Sequence, residues 1–555
     1  MNKEVTIYCK NTQDYHTYPL GVSLLEIYTD LGINLKYKVV AARVNYKVED
    51  LRFLVYKPKD IEFIDASIPS GMRVYVRSLS MLLARAVSEL FPQAVLHIEH
   101  PISKGYYCRI EQLSETLTSQ TIVKIKERMW QIIKRKEPFV CKEKQTKIVK
   151  QIFQNRDNRT NKDSLFETLG DPYSRYFTLG SYADYYTGVL LPSSDYIDMF
   201  DLIEYYDGML LKIPHRENPV MLEDMIFQPK MFEIFKEYLD WNRIMNLKTV
   251  GEFNVASKNK QTFNLIKIAE ALHEKKVASI ADRIQTKGEV KFVLISGPSS
   301  SGKTTFSKRL SVQLMVSGLK PVAISLDNYF VDRQNTPKDE NGEWDFESIH
   351  ALDIPFFRQQ LRELISGEEI ELPFYNFEDG KRHFKGEKLK LKEDTILILE
   401  GIHALNPELT TGIPKESIFK IYVSALTTIS IDEHNWIPTA DVRLLRRIIR
   451  DYQFRNYSGR DTIGRWNSVR RGEEKWIFPY QENADVMFNS ALIFELAVLK
   501  RYAEPILEQV PKYCEEYTEA HRLIKFLRYF VPIHDREIPP TSLLREFVGG
   551  SSFRY

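Results

Sequence analysis

Val290-Lys-Phe-Val-Leu-Ile-Ser296 runs directly into Gly297-Pro-Ser-Ser-Ser-Gly-Lys-Thr-Thr305, and this stretch decides the fold of the second half of the chain. Its first part is apolar and partly β-branched, as expected of a buried strand. Its second part carries Gly297 and Gly302 with four residues between them, and then Lys303 and Thr304. This is the phosphate-loop pattern between a strand and a helix, and it predicts a nucleotide site.

The phosphate loop offers mainly backbone amides to its ligand. Glycine has no Cβ, so Gly297 and Gly302 let the backbone turn and approach phosphate oxygens closely. Lys303 is expected to reach the β- and γ-phosphates, and the Thr304 hydroxyl is expected to bind Mg²⁺. The predicted ATP-binding residues of the loop are Gly297, Pro298, Ser299, Ser300, Ser301, Gly302, Lys303, Thr304 and Thr305. The predicted cofactors are therefore ATP and Mg²⁺.

Length and composition set the broad class of protein. A chain of 555 residues is long enough for roughly three or four domains of about 150 residues each. A net charge of +2, with 43% hydrophobic and 27% charged residues, shows no overall preference for nucleic acid or membrane. The four cysteines have no metal-ligand spacing, and there is neither a signal-peptide core nor an apolar run of about 18 residues. We expect a soluble cytoplasmic protein with reduced thiols and no membrane partner.

Two acidic residues end predicted buried strands downstream of the loop. Residues 321–326 lead to Asp327, and residues 395–399 lead to Glu400. Parallel sheets bind their ligands at the carboxyl ends of their strands. Asp327 is predicted to be catalytic together with Lys303, by orienting an acceptor hydroxyl and accepting its proton; the alternative is a cap of the next helix. Glu400 is predicted to hold Mg²⁺ with Thr304.

An arginine-rich region follows the second of these strands. From residue 443 to residue 471 there are nine arginines, no lysine and two acids. Arg443, Arg446 and Arg447 share one face of a predicted helix, opposite an apolar stripe. Because the guanidinium fork matches phosphate oxygens, we interpret the region as a lid over the triphosphate. A solvated or RNA-binding basic helix is the alternative.

Two segments between the acidic strand ends, 345–353 and 372–383, mix aromatic, acidic and amide residues. Carboxylates accept hydrogen bonds from ribose hydroxyls, and aromatic rings stack on bases, so this mixture suits a nucleoside acceptor. Residues 345–353 and 372–380 contain no lysine or arginine, which argues against a phosphorylated sugar.

Taken together, these motifs resemble the uridine kinase branch of the uridine kinase and phosphoribulokinase family. The matching segments are the phosphate loop, 325–330, 373–377, 399–402 and 441–447, in the same order within residues 290–510. The resemblance implies ATP-dependent phosphorylation of a nucleoside 5′-hydroxyl. By position it assigns Asp327 to catalysis, Glu347 to the ribose, Tyr375 to the base, and Arg443, Arg446, Arg447 and Arg460 to the lid.

Two positions depart from this family pattern. The base-reading His expected five residues after Tyr375 is Gly380, with His383 displaced, and the ribose acid is Glu347 where Asp is usual. Recognition by shape and stacking discriminates about 10- to 200-fold, so we expect loose or altered base specificity unless His383 takes the vacant place. The predicted substrate-binding residues are Glu347, Tyr375, His383 and Arg443, and the predicted ATP-binding arginines are Arg446, Arg447 and Arg460.

The N-terminal half has a different character. Residues 5–76 show short alternating strands, the last predicted at 73–76, and segments 21–27 and 41–45 resemble the TGS module, a β-grasp fold. Segments 81–92 and 105–108 resemble the second domain of threonyl-tRNA synthetases, a likeness that reaches residue 240. The family's editing site needs a His-x-x-x-His pair on the helix and a later Cys-x-x-x-His pair. The four aligned positions here hold Arg77, Met81, Tyr186 and Leu190. None of these can replace an imidazole or thiolate, so we expect a retained scaffold without editing chemistry.

The predicted architecture is an α/β P-loop NTPase kinase with a doubly wound parallel sheet, preceded by β-grasp and α+β synthetase editing-like domains. The predicted boundaries are 1–76, 77–240, a helical connector at 241–289, the kinase at 290–510 and a C-terminal tail at 511–555. The predicted activity is ATP:nucleoside 5′-phosphotransfer, uridine or cytidine being the acceptors implied. The alternatives are a sugar-phosphate kinase and a translation-associated, RNA-binding nucleotide switch. Contact of the N-terminal half with tRNA or other RNA, and a homo-oligomer, are left open.

Overall fold

The computed structural model describes residues 4–157, 161–339, 342–427 and 429–555. The chain begins with a small β-grasp unit, a five-stranded sheet in the order β2-β1-β7-β4-β5 with a separate short pair, β3 and β6. Helix α1 starts with a capping box, since Ser23 and Glu26 exchange side-chain and backbone hydrogen bonds. The elements are β1 Glu4–Cys9, β2 Asp14–Pro19, β3 Val22–Ser23, α1 Leu24–Asp30, β4 Val39–Val44, β5 Lys47–Glu49, β6 Leu54–Val55 and β7 Asp60–Asp65.

The prediction of a strand at residues 73–76 is wrong. These residues lie within α2, Pro69–Leu90, which has proline in its first turn, where no backbone N–H is needed. A short apolar run does not by itself distinguish a buried strand from a buried helix. The proposed boundary between residues 76 and 77 therefore falls inside a continuous helix.

The next unit packs α2 against two antiparallel sheets, one in the order β13-β14-β9-β8 and one in the order β10-β11-β12. Helix α2 is buried along most of its length and lies at the centre of this hydrophobic core. The further elements are β8 Val95–Ile102, β9 Gly105–Glu111, α3 Ser119–Lys134, β10 Phe139–Gln145, α4 Thr146–Asp157, α5 Asn161–Leu169, β11 Tyr173–Leu179, β12 Tyr182–Asp184, β13 Asp201–Tyr205 and β14 Gly208–Lys212.

Three helices lead from this unit to the phosphate loop. They are α6 Pro229–Ile244, α7 Val250–Lys258 and α8 Thr262–Lys287. The apolar residues of α8 from Val277 to Ile284 pack against the central strands of the next sheet, so the connector is part of the core of the second half. Among the described residues, no helix is long and apolar enough to cross a membrane.

A parallel five-stranded sheet in the order β16-β19-β15-β20-β21 forms the centre of the second half. Strands β15 and β19 are apolar over nearly their whole length because helices cover both faces of the sheet. The elements are β15 Phe292–Ser296, α9 Lys303–Val316, β16 Lys320–Ser325, α10 Ile354–Ile365, β17 Ile370–Asn376, β18 Lys381–Leu389, β19 Thr395–Glu400, β20 Ile418–Ser424, α11 Thr439–Phe454, α12 Gly459–Trp476, β21 Val486–Asn489 and α13 Glu495–Glu508. Strands β17 and β18 form a separate hairpin.

Residues 511–555, predicted as a tail, contain α14 Tyr517–Leu527 and α15 Arg545–Val548. Leu523, Phe526 and Phe547 are buried in the same core cluster as the apolar residues of α11 and α13. This segment is therefore an integral part of the core of the second half.

A buried ionic cluster joins the two halves of the chain. Lys162 and Asp184 form an ion pair from the N-terminal half, and Lys162 lies 3.4 Å from Asp432 of the second half. His434 Nδ1 lies 2.5 Å from Asp184 Oδ2. All four side chains are at most 2% exposed, so water screens the charges of this cluster little.

Candidate active site

The phosphate loop connects the central strand β15 to helix α9. A Cβ at Gly297 would lie 2.0 Å from the carbonyl oxygen of Val423, so the loop passes against β20 too closely for any side chain there. Gly302 has φ +85° and Ser300 has φ +58°. Both values lie in the left-handed region, which turns the loop around its own amides. The loop thus has the geometry that the sequence pattern predicts.

The predicted metal ligands meet at the carboxyl edge of the sheet. The Thr304 hydroxyl donates a hydrogen bond of 3.0 Å to Glu400 Oε1. Burial raises the pKa of Glu400 to about 7, opposed by the charge of Lys303 and reinforced by that of Asp327. A hydroxyl and a carboxylate are hard oxygen ligands that suit Mg²⁺, which also takes ligands from substrate phosphates. Thr304 and Glu400 are therefore the residues that would hold the metal.

Lys303 lies beside this pair. Its Nζ donates to the carbonyl oxygen of Pro298 at 3.2 Å. Burial lowers the pKa of Lys303, while the neighbouring carboxylates of Glu400, Glu546 and Asp327 oppose that shift. A cation held among carboxylates at the loop is placed to meet the charge of a nucleotide phosphate.

Asp327 follows β16, the strand next to β19. Desolvation raises the pKa of Asp327, and the charges of Lys303 and Arg455 oppose the shift. The side chain is nevertheless open to solvent, because it lies in a cleft formed by surrounding protein. The side chain of Ser325 accepts a hydrogen bond from the Asp327 amide at 3.3 Å. Asp327 is thus at the ligand-binding edge of the sheet and caps no long helix.

Glu347 and Tyr375 are the residues predicted to contact the acceptor. Burial raises the pKa of Glu347 to about 7, opposed first by Arg447, and the charges of Lys303 and Asp327 also act on it. Tyr375 is buried, with its ring centre 5.5 Å from that of Phe330 and 5.1 Å from that of Phe377. Because Phe377 remains exposed, this aromatic group provides a surface on which a planar base can stack.

His383 does not join Tyr375. In the β17–β18 hairpin Tyr375 pairs with Arg382, whereas His383 pairs with Phe374. Successive side chains point to opposite faces of a strand, so His383 lies on the outer, exposed face. There its Nε2 lies 2.7 Å from Asp379. The place beside Gly380 is filled by Arg333, because a Cβ at Gly380 would lie 2.8 Å from Arg333 Nε.

Arg443 and Arg446 are not the mobile lid residues that the arginine pattern predicted. Both are almost completely buried. Arg443 pairs with Glu473 and donates to the carbonyl oxygen of Ser299 at 3.1 Å. Arg446 pairs with Glu495 and donates to the carbonyl oxygen of Ser300 at 3.3 Å. Helix α11 packs its charged face against the loop, and the two guanidinium groups hold the loop backbone in place through these hydrogen bonds.

Arg447 and Arg460 differ from each other. Arg447 donates to the Ser299 hydroxyl at 2.9 Å and lies near Glu347, so it is at the cleft. Arg460 is half-exposed in the first turn of α12, where its Nε lies 3.4 Å from Glu516. The structure therefore brings Arg447, but not Arg460, to the phosphate loop.

Sequence reasoning missed two acids that touch the loop. Glu473 Oε1 accepts a hydrogen bond from the Ser299 amide at 3.1 Å. Glu546 contacts Thr305. No local sequence signal marks them, because Glu473 is 174 positions after Ser299 and Glu546 is 241 positions after Thr305.

We expect Glu473→Ala to lower the free energy of unfolding by about 3–5 kcal/mol, because it leaves Arg443 buried without its carboxylate. Urea unfolding followed by circular dichroism measures this loss. The control is Glu474→Ala, which removes an exposed acid next in sequence and should cost at most about 1 kcal/mol. Equal losses in the two variants would contradict the structural role assigned to Glu473.

The four positions aligned with the editing ligands form a packed region. Met81, Tyr186 and Leu190 are buried in one hydrophobic cluster. The guanidinium of Arg77 lies against Gly188, and burial lowers the pKa of Arg77 to about 9. The second half of the chain also reaches this region, since Asn435 donates to the carbonyl oxygen of Tyr185 at 3.0 Å.

We expect the full chain to retain well below one zinc per molecule after dialysis against a chelator, because Arg77, Met81, Tyr186 and Leu190 offer no zinc ligands. Elemental analysis by mass spectrometry measures the ratio, and mischarged tRNA should remain acylated when incubated with the protein. One zinc per chain that survives chelation, or release of the amino acid, would contradict this prediction.

A parallel sheet with a phosphate loop after its central strand, and acids at the ends of two other strands, defines a P-loop NTPase domain. Residues 292–494 match the family described as "Phosphoribulokinase / Uridine kinase family". A uridine kinase of Halobacterium salinarum is 28% identical over 195 residues, which cover 35% of this chain and 77% of the relative. A solved structure described as a "Possible Uridine Kinase" from Bacillus stearothermophilus covers 38% of this chain and all of its own, with 20% identity and a TM-score of 0.25.

The N-terminal half is similar to a different protein. A threonine–tRNA ligase of Syntrophomonas wolfei is 30% identical over 177 residues, or 32% of this chain. The match spans only 28% of that ligase. The predicted resemblance is thus confirmed for both halves of the chain, and the findings support a P-loop kinase.

Proposed function

We propose that the protein transfers the γ-phosphoryl group of ATP to the 5′-hydroxyl of a nucleoside. The observation that carries this proposal is the shared cleft of Lys303, Asp327 and Glu347, since the charges of Lys303 and Asp327 both act on Glu347. One side of this cleft has the geometry of a phosphate site, and the other combines a carboxylate with an aromatic surface.

Each group has a separate task in this proposal. The loop amides and Lys303 bind the phosphates and compensate the charge on the transferred group. Asp327 orients the acceptor hydroxyl and takes its proton as the bond to phosphorus forms. Glu347 accepts hydrogen bonds from the ribose, and Phe330, Tyr375 and Phe377 surround the base. Mg²⁺, when bound at Thr304 and Glu400, would shield the negative charge of the phosphates.

The contacts that two nearby arginines already make favour a nucleoside over a phosphorylated sugar as the acceptor. Arg382, on the same hairpin face as Tyr375, is 2.9 Å from Asp353. Arg333 donates to the carbonyl oxygen of Phe377. Both cations of this wall already have partners, so a second phosphate would have to displace them.

ATP consumption with uridine, cytidine, adenosine, inosine and a panel of sugar phosphates tests the proposal. We expect turnover with nucleosides and a spread of kcat/KM of about 10- to 200-fold among bases, since shape and stacking discriminate by that amount. His383→Ala should leave this spread unchanged because His383 faces away from Tyr375. A preference above roughly a thousandfold, beyond what stacking gives, that His383→Ala removed would restore His383 as the base reader. Turnover with sugar phosphates alone would contradict the proposal.

A further inference from the structure

The end of the chain lies on the phosphate loop. Glu546, in α15, accepts hydrogen bonds through Oε2 from the Thr305 hydroxyl at 2.6 Å and from the Thr305 amide at 3.2 Å. The hydroxyl of Tyr555, the last residue, is 2.8 Å from the Thr305 hydroxyl. Two side chains from the C-terminus thus engage one residue of the predicted nucleotide site.

Thr305 has a defined position in this site. It belongs to the first turn of α9, whose amides have no partner within the helix and point toward the phosphate loop. Such amides attract anions, and phosphate loops use them to bind the α- and β-phosphates. A carboxylate oxygen on the Thr305 amide therefore occupies a position suited to a phosphate oxygen. Its negative charge would also repel the phosphates of an entering nucleotide.

The other acid on the loop is held differently. Glu473 contacts the Ser299 amide, but it is completely buried and pairs with Arg443 and Arg470. It cannot leave without breaking two ion pairs, so we regard Glu473 as part of the fixed loop structure. Glu546, by contrast, belongs to the four-residue helix α15, which ends seven residues before Tyr555.

The segment after α15 is built to turn back on the loop. We name residues 549–555 the C-terminal strap. It begins with Gly549 at φ +86° and Gly550 at φ +74°, values that glycine adopts without strain. The ring of Tyr555 is 61% exposed, so few apolar contacts hold it. By contrast Leu544 and Phe547 are fully buried and anchor the chain before the strap.

We propose that the C-terminal segment is an intramolecular competitor of the nucleotide, with Glu546 and Tyr555 holding Thr305 until ATP displaces them. This inference rests on the proposed use of ATP. The nucleotide binds only molecules in which the Thr305 contacts are open, so its apparent affinity is reduced by the fraction of molecules that are open. Removing the competitor therefore increases affinity for ATP and leaves the chemical step unchanged.

The test compares wild type with Glu546→Gln and with a chain that ends at Val548. Isothermal titration calorimetry with Mg²⁺ and a non-hydrolysable ATP analogue measures Kd, and steady-state kinetics measure KM for ATP and kcat. We expect both changes to lower Kd and KM by about 3- to 30-fold, corresponding to a closed state that is populated in most molecules. The control is Ser552→Ala, an exposed strap position, which should match wild type.

A second readout follows the strap itself. Carboxypeptidase removes the terminal tyrosine faster when the strap is free, so we expect release of Tyr555 to accelerate when the ATP analogue is added to wild type. Ser552→Ala should show the same acceleration, and Glu546→Gln should show rapid release already without nucleotide.

The outcomes separate this inference from the proposed function. If all forms bind the analogue with equal affinity, or if Glu546→Gln binds it more weakly, the proposal of an intramolecular competitor is overturned. The proposed kinase activity is not affected by that result. If neither wild type nor the truncated chain binds the analogue, the proposed function fails and the inference fails with it.

Discussion

Asp327→Asn is expected to lower kcat by about 10²- to 10⁴-fold, the range typical of a residue that accepts a proton in the transition state. The affinity for ATP should change little, because Asp327 faces the acceptor while the loop and Lys303 bind the phosphates. Single-turnover kinetics with the best nucleoside, together with titration of ATP, measure the two quantities separately.

The control for this substitution is Asp394→Asn. Asp394 lies at the opposite, amino edge of the sheet, where it pairs with Lys320 at 2.5 Å, and its replacement should leave kcat unchanged. Turnover of Asp327→Asn close to that of wild type would show that another group takes the proton.

Lys303→Ala is expected to reduce kcat/KM for ATP by about 10²- to 10³-fold, the loss seen when a group that stabilises transition-state charge is removed. The effect should include weaker ATP binding, because Lys303 belongs to the loop and is expected to reach the β- and γ-phosphates. Binding of the ATP analogue and steady-state rates report the two parts of this loss.

Lys320→Ala provides the matched control, since Lys320 is exposed and pairs with Asp394 far from the cleft. If the Lys303→Ala enzyme bound ATP normally and lost less than about tenfold in rate, Lys303 would not be the cation that binds the phosphates.

The phosphate loop and its acids were accessible to sequence reasoning because their signals are local. A buried strand followed by glycines, lysine and threonine has few structural solutions, and parallel strands bring their carboxyl ends to one edge. Asp327 and Glu400 could therefore be placed together although they are 73 positions apart in the chain. The acceptor hairpin was less accessible, since its register decides which face His383 takes.

The arginine helix shows why the remainder could not be predicted. Helical spacing correctly groups Arg443, Arg446 and Arg447 on one face, but it contains no information about what that face contacts. The partners of the two buried arginines, Glu473 and Glu495, lie in later helices. A charge pattern typical of a solvated lid thus became a set of buried ion pairs that supports the loop.

The ionic cluster between the two halves has a consequence for protein synthesis. Lys162 and Asp184 are synthesised roughly 250 residues before Asp432 and His434. At 5–20 residues per second this delay is about 12–50 s. During that interval the first half carries Lys162 and Asp184 without Asp432 and His434, the residues of the second half that later contact them. Its final packing must therefore wait for the kinase half, and messages truncated before codon 432 would yield products that cannot complete the cluster and are exposed to degradation.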